Sequence, residues 1–196
     1  GTLLVVSALI FILFLKWKPE QRNNPALWCI SYIQMFSIAG KTLAILGHLS
    51  LITTAYDMAV SLGFGGRASG FIIGAYYAPA VPALGLVKWI TKYQHQSCYL
   101  KACLWGVSIS GTAQFGFMAI SVTSPIMNNH SCMCILIFLR VVMGFATIAT
   151  DTLAKLMAQK VTHKKRMVDL QAQYNNAGTI GVFLSPLLSS AICTAT

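Results

Sequence analysis

Acidic side chains are almost missing from this sequence. Asp and Glu together number 4, against 14 Lys and Arg, and charged residues make up only 9% of the chain. Ordinary soluble domains carry about 25%, so a soluble fold of this composition could not cover its surface. The same shortage of charge excludes intrinsic disorder, which needs polar, highly charged sequence. Cysteine is too sparse, at 6 in 196 residues, for a disulfide-stapled secreted scaffold. His130, Cys132 and Cys134 do not have zinc-site spacing, and a fourth ligand is absent. His95, Cys98 and Cys103 fare no better. No glycine-rich phosphate loop occurs, so no metal, no cofactor and no enzyme activity are expected.

What the chain does have is apolar sequence. Hydrophobic residues make up 56%, and the mean hydropathy is +0.68. That composition indicates an integral membrane protein. The apolar runs are too long for strands, which predicts an all-α, polytopic transmembrane helix bundle. Spans are expected at Trp28–Thr53, Ser69–Ile90, Ala102–Val122, Cys132–Met157 and Gln173–Ala191. Tyr56–Leu62 either extends the first of these or forms a surface turn. Pro79 and Pro82 predict a kink in the second. Thr2–Leu15 is shorter than the ~20 residues a crossing needs and lacks signal-peptide flanks. It reads as the end of a helix whose start is missing, and Gly1 suggests a fragment or a processed chain. The expected division is therefore residues 1–25, a partial helix with a basic loop, and residues 26–196, the bundle.

Basic residues set the orientation, because cytosolic loops collect Lys and Arg. Lys16, Lys18 and Arg22 fall in one loop, Lys88, Lys92 and Lys101 in a second, and Lys160, Lys164, Lys165 and Arg166 in a third. Alternation of spans puts all three on one side. The two opposite loops hold Arg67 alone. The net charge of +10 is thus split among short loops with no contiguous patch, which argues against nucleic acid as a partner. Asn129-His130-Ser131 is a glycosylation triplet in a loop assigned to the non-cytosolic side. The lipid bilayer is the expected partner, with plasma membrane and endomembrane both open.

Small residues mark expected helix contacts: Gly70 and Gly74 in a G-x-x-x-G step, Gly106, Gly111 and Gly116, then Gly178 and Gly181 before Pro186. Small side chains let membrane helices approach closely. Five ionisable residues fall inside or beside spans: Lys41, Asp57, Arg140, Asp151 and Lys155. Each costs a few kcal/mol at the bilayer centre unless it faces water or a partner. Eleven helical residues turn roughly 20° past three full turns, so Arg140, Gly144, Thr147 and Asp151 share one stripe. Asp151 and Lys155 also have the i,i+4 spacing of a structural ion pair. Arg140 lies roughly 10 Å from the outer end of its span, and Lys41 about 20 Å from the inner end of its own. Two cations at similar depth suggest an anionic substrate; an acid elsewhere in the protein, or a purely structural anchor, would explain them equally well. Asp57 and Asp151 also raise the paired-carboxylate chemistry of an intramembrane aspartyl protease, but its Gly-x-Gly-Asp step is absent.

Leu139-Arg140-Val141-Val142-Met143-Gly144-Phe145-Ala146 resembles the fourth-helix pattern of the major facilitator superfamily, Arg-x-x-x-Gly followed by small residues. Gly178-Thr179-Ile180-Gly181 with Pro186 is similar to its fifth helix, and Ser61-Leu62-Gly63 before Ser69–Gly74 to its first-to-second helix join. The resemblance covers Trp28–Ala191 and implies the N-terminal half of a secondary transporter, a symporter or antiporter. It implies a missing C-terminal half as partner, and a substrate pathway including Arg140, Lys41, Asp151, Thr147 and Asn175. The family's Gly-x-x-x-Asp-Arg-x-Gly-Arg loop is not reproduced at Gly85-Leu86-Val87-Lys88-Trp89. Tyr56–Gly74 looks closest to members joined to an SPX domain, which would imply vacuolar phosphate. That subgroup's fourth-helix basic residues are not reproduced at Ala149, Leu153 and Ala154. A non-transporting sensor or scaffold of the same fold is the alternative.

Overall fold

The structure, a computed structural model, describes residues 25–93, 96–123 and 128–194. The expected partial helix Thr2–Leu15 lies outside the described residues. The described chain is helical, with no strand: α1 (Pro25–Ser61), α2 (Gly66–Ala75), α3 (Ala80–Tyr93), α4 (Gln96–Thr123), α5 (Asn129–Val161), a 3-10 turn at Lys164–Arg166, and α6 (Met167–Thr194). Three segments are long and apolar enough to cross a membrane: Gly66–Tyr93, Cys98–Ile120 and Asn129–Val161. At 1.5 Å per residue the 33-residue α5 is about 50 Å long, more than the ~30 Å hydrocarbon layer requires.

Two boundaries refine the sequence reading. Tyr56–Ser61 continues α1 to its end, and Leu62 leads into a turn at Gly63. There the chain takes φ +78°, a left-handed conformation that glycine adopts without steric cost. The Phe64 N–H reaches back to the Ala59 carbonyl at 2.9 Å, and the Gly63 N–H to that of Val60 at 2.9 Å. This paired closure satisfies the last carbonyls of the helix. The expected disruption at Pro79 and Pro82 takes the form of a four-residue turn, Tyr76–Pro79, between α2 and α3 within the single apolar segment Gly66–Tyr93. Pro79 has no N–H and its ring crowds the preceding turn. Tyr77 and Ala78 both donate to the Gly74 carbonyl, at 3.0 and 3.2 Å, before the helix restarts.

The chain forms two compact units, residues 51–157, and residues 1–50 together with 158–196. In the first, α5 runs through two apolar clusters. One gathers Ala55 and Ala59 of α1, Leu62 just after it, Ile72 of α2, Tyr76 of the turn, Ala113 and Phe117 of α4, and Cys132, Met133, Leu136 and Met143 of α5. The other joins Ala83, Val87 and Ile90 of α3 to Tyr99 and Cys103 of α4 and Ala149, Leu153 and Ala154 of α5. Large apolar side chains such as Phe71, Val81, Phe115 and Phe138 point outward instead. In water that would be unfavourable; against lipid tails it is not.

In the other unit, α6 packs on the first part of α1. The Thr42 hydroxyl donates to the Ala177 carbonyl at 3.2 Å, and the Gln34 side-chain amide to the Thr162 hydroxyl at 2.6 Å. Cβ atoms at Gly178 and Gly181 would come within 3.2 and 3.0 Å of Ile45, so these glycines sit at a close helix approach.

Candidate functional site

The stripe expected on α5 begins at Arg140, which is 0% exposed. Its guanidinium is housed by three groups from two other segments. The Nε–H donates to the Ile72 carbonyl at 3.3 Å. The Tyr76 ring lies 5.3 Å from Cζ and the Phe117 ring 5.9 Å. The flat cation is weakly hydrated and can lie against aromatic faces, which offsets part of the cost of leaving water. The Ile72 carbonyl and Tyr76 belong to the stretch where α2 gives way to the turn. Arg140 therefore ties α5 to that interruption, and Phe117 brings in α4.

Gly144, one turn further on, meets the same stretch. A Cβ there would fall on the Tyr76 carbonyl oxygen and 2.7 Å from its carbon. The backbone of the turn thus rests directly on α5, an approach that no other residue type allows. Thr147 comes next and shares a hydrogen bond with the Ser110 hydroxyl of α4 at 3.0 Å. Asp151 and Lys155 complete the stripe, both half-buried. Beside them on α5, Thr150 meets α4 closely enough that a Cβ at Gly106 would overlap its hydroxyl oxygen.

The remaining expected residues fall elsewhere. Gly70 and Gly74 are exposed, with open space where a Cβ would stand. Their G-x-x-x-G step makes no helix contact among the described residues, because α2 buries its other face, Ser69, Ile72 and Ala75. Lys41 and Asn175 belong to the unit of residues 1–50 and 158–196. The Lys41 ammonium lies 5.4 Å from the Tyr174 ring. Asn175 is exposed and accepts a hydrogen bond from Gln171 at 3.2 Å. Pro186 lies inside α6 and is exposed. Asn129 is exposed as the first residue of α5, so its triplet opens a helix rather than lying in a loop. The neighbouring His130 packs edge-on to Phe64, with centroids 5.2 Å apart. Among the described residues, no three His, Cys, Asp or Glu come together as a metal site would require.

Sequence reasoning named Arg140 but not Tyr76, Phe117 or Ser110. Tyr76 had a local signal, since it falls three residues before the helix-breaking Pro79. Phe117 and Ser110 had none, because their roles arise from contacts across at least twenty residues of chain. No family model, curated protein or solved structure matches the chain.

Proposed function

We propose that this chain is part of a multi-pass membrane transporter that moves a small solute by alternating access. The observation that carries the reading is the polar stripe of α5. A helix otherwise apolar enough to cross a membrane holds Arg140, Thr147, Asp151 and Lys155 on or near one face, turned toward neighbouring helices. Membrane helices rarely carry such residues without a pathway or a partner. The interruption between α2 and α3 adds to it, since broken helices in transporters surround substrate and coupling-ion sites. The resemblance around Arg140–Gly144 points the same way. In this reading Arg140 braces the broken helix. Thr147 and Asp151, only half-buried, are the side chains a solute or coupling ion reaches, with Lys155 on the same helix favouring an anion. A second helix bundle completes the cavity.

The enclosure of Arg140 favours a second reading, a non-transporting scaffold or sensor in which the arginine only pins helices. Uptake separates the two. The native polypeptide containing this chain is reconstituted in vesicles and offered radiolabelled small anions under proton and sodium gradients. Asp151→Asn and Thr147→Val are each expected to cut uptake about tenfold, the equivalent of ~1.4 kcal/mol of interaction, at equal protein in the membrane. Unchanged uptake in both variants would exclude the pathway. Residues 1–196 reconstituted alone are expected to transport nothing above empty vesicles, because alternating access needs two bundles.

A further inference from the structure

The α3–α4 hairpin carries a feature the transport reading leaves unused. Its α3 arm ends in Lys88, Trp89, Lys92 and Tyr93, all exposed. On a helix, Lys88 and Lys92 share one stripe, and Trp89 and Tyr93 share the stripe beside it. The α4 arm repeats the pairing four residues apart, with Lys101 exposed and Trp105 71% exposed. The Tyr99 hydroxyl donates to the Thr91 carbonyl at 3.2 Å. That bond holds the start of α4 against the end of α3, so both Lys/aromatic sets lie at one end of the hairpin.

These cations have few acidic neighbours in the sequence. No Asp or Glu occurs anywhere from residue 58 to residue 150. Of the acids in the same unit, Asp57 is exposed in the last two turns of α1 and Asp151 is half-buried on α5. Lys92 lies against an aromatic ring, its ammonium 4.9 Å from the Tyr93 centroid. Indole and phenol rings prefer the level of the lipid headgroups, with a polar edge toward water and the ring toward the acyl chains.

We propose that this end of the hairpin is a binding surface for anionic phospholipid headgroups. Lys88, Lys92 and Lys101 supply the charge, while Trp89, Tyr93 and Trp105 set the depth. The inference rests on the membrane reading above. It goes further, because the positive-inside bias orients a protein without requiring that any lipid be selected. Each Lys near an anionic surface favours the acidic lipid by about fivefold, so three cations suffice for local enrichment.

Tryptophan quenching tests it in the whole chain. Trp17→Phe and Trp28→Phe leave Trp89 and Trp105 as the reporters. The chain is placed in phosphatidylcholine nanodiscs containing about one-third phosphatidylserine, with one lipid or the other brominated near the glycerol end of its acyl chains. At equal bromine content, brominated phosphatidylserine is expected to quench roughly twofold more than brominated phosphatidylcholine. The triple substitution Lys88→Gln, Lys92→Gln, Lys101→Gln is expected to abolish that difference, with quenching by phosphatidylserine falling and quenching by phosphatidylcholine rising until the two agree. Equal quenching by the two lipids in the parent, or a preference that survives the triple substitution, overturns the proposal. Quenching by neither lipid would show that the hairpin is not in the bilayer at all, and would remove the membrane reading with it.

Discussion

Arg140 and Lys41 are both cations within long helices, yet they are housed differently. Arg140 has no exposed surface, and two aromatic rings and a backbone carbonyl surround its guanidinium. Lys41 is half-buried and has the Tyr174 ring beside its ammonium. The side chains account for much of this contrast. A guanidinium is planar and weakly hydrated, so it can be enclosed by ring faces. An ammonium is a compact, strongly hydrated charge on a flexible stem that keeps its head near water. The first arrangement is a fully enclosed joint between helices; the second is a half-buried cation lying beside one ring.

Substitutions can break that comparison, beginning with the largest expected effect. Arg140→Ala empties the space between Tyr76 and Phe117 and frees the Ile72 carbonyl. It is expected to cost about 3 kcal/mol, in the range of large-to-alanine changes in packed cores, read as unfolding of the purified protein in mixed micelles. Arg140→Lys keeps the charge but loses the flat face, and is expected to recover no more than about half of that loss. Gly144→Ala follows, at about 1–3 kcal/mol. Its methyl group meets a backbone carbonyl rather than a side chain that could swing away.

Lys41→Met is expected to cost only ~0.5–1 kcal/mol, the size of an exposed cation–aromatic contact. If it destabilises as much as Arg140→Ala, the two cations are housed alike and the contrast fails. The smallest effect belongs to Gly70→Ala with Gly74→Ala. With nothing within 4 Å of either position, stability should hold or rise by up to about 1 kcal/mol per site through helix propensity. A large loss would mean that another protein surface occupies that face.

These glycines show how far the sequence could be read. Gly70, Gly74 and Gly144 look alike in it, each a small residue in an apolar run. Only Gly144 meets a neighbouring backbone, and that depends on where Tyr76 lies, 68 positions earlier in the chain. The helices themselves were legible, because long apolar runs have one backbone solution in lipid. A disruption at Pro79 was legible too, as a local property of proline. That Arg140 would need a special environment followed from the energy of a charge in an apolar span. The identity of that environment did not, since Tyr76 and Phe117 reach it through tertiary packing.

The central claim is a membrane bundle whose basic loops share one side. Two-sided cysteine labelling tests it most directly. Tyr93→Cys and Asn128→Cys, introduced singly into a background without the six native cysteines, replace exposed residues at opposite ends of the α4 segment. In intact cells, an impermeant maleimide is expected to label position 128 from the non-cytosolic side of the membrane in which the protein resides. Position 93 should react only after that membrane is permeabilised. Labelling of both positions from the same side would contradict the arrangement.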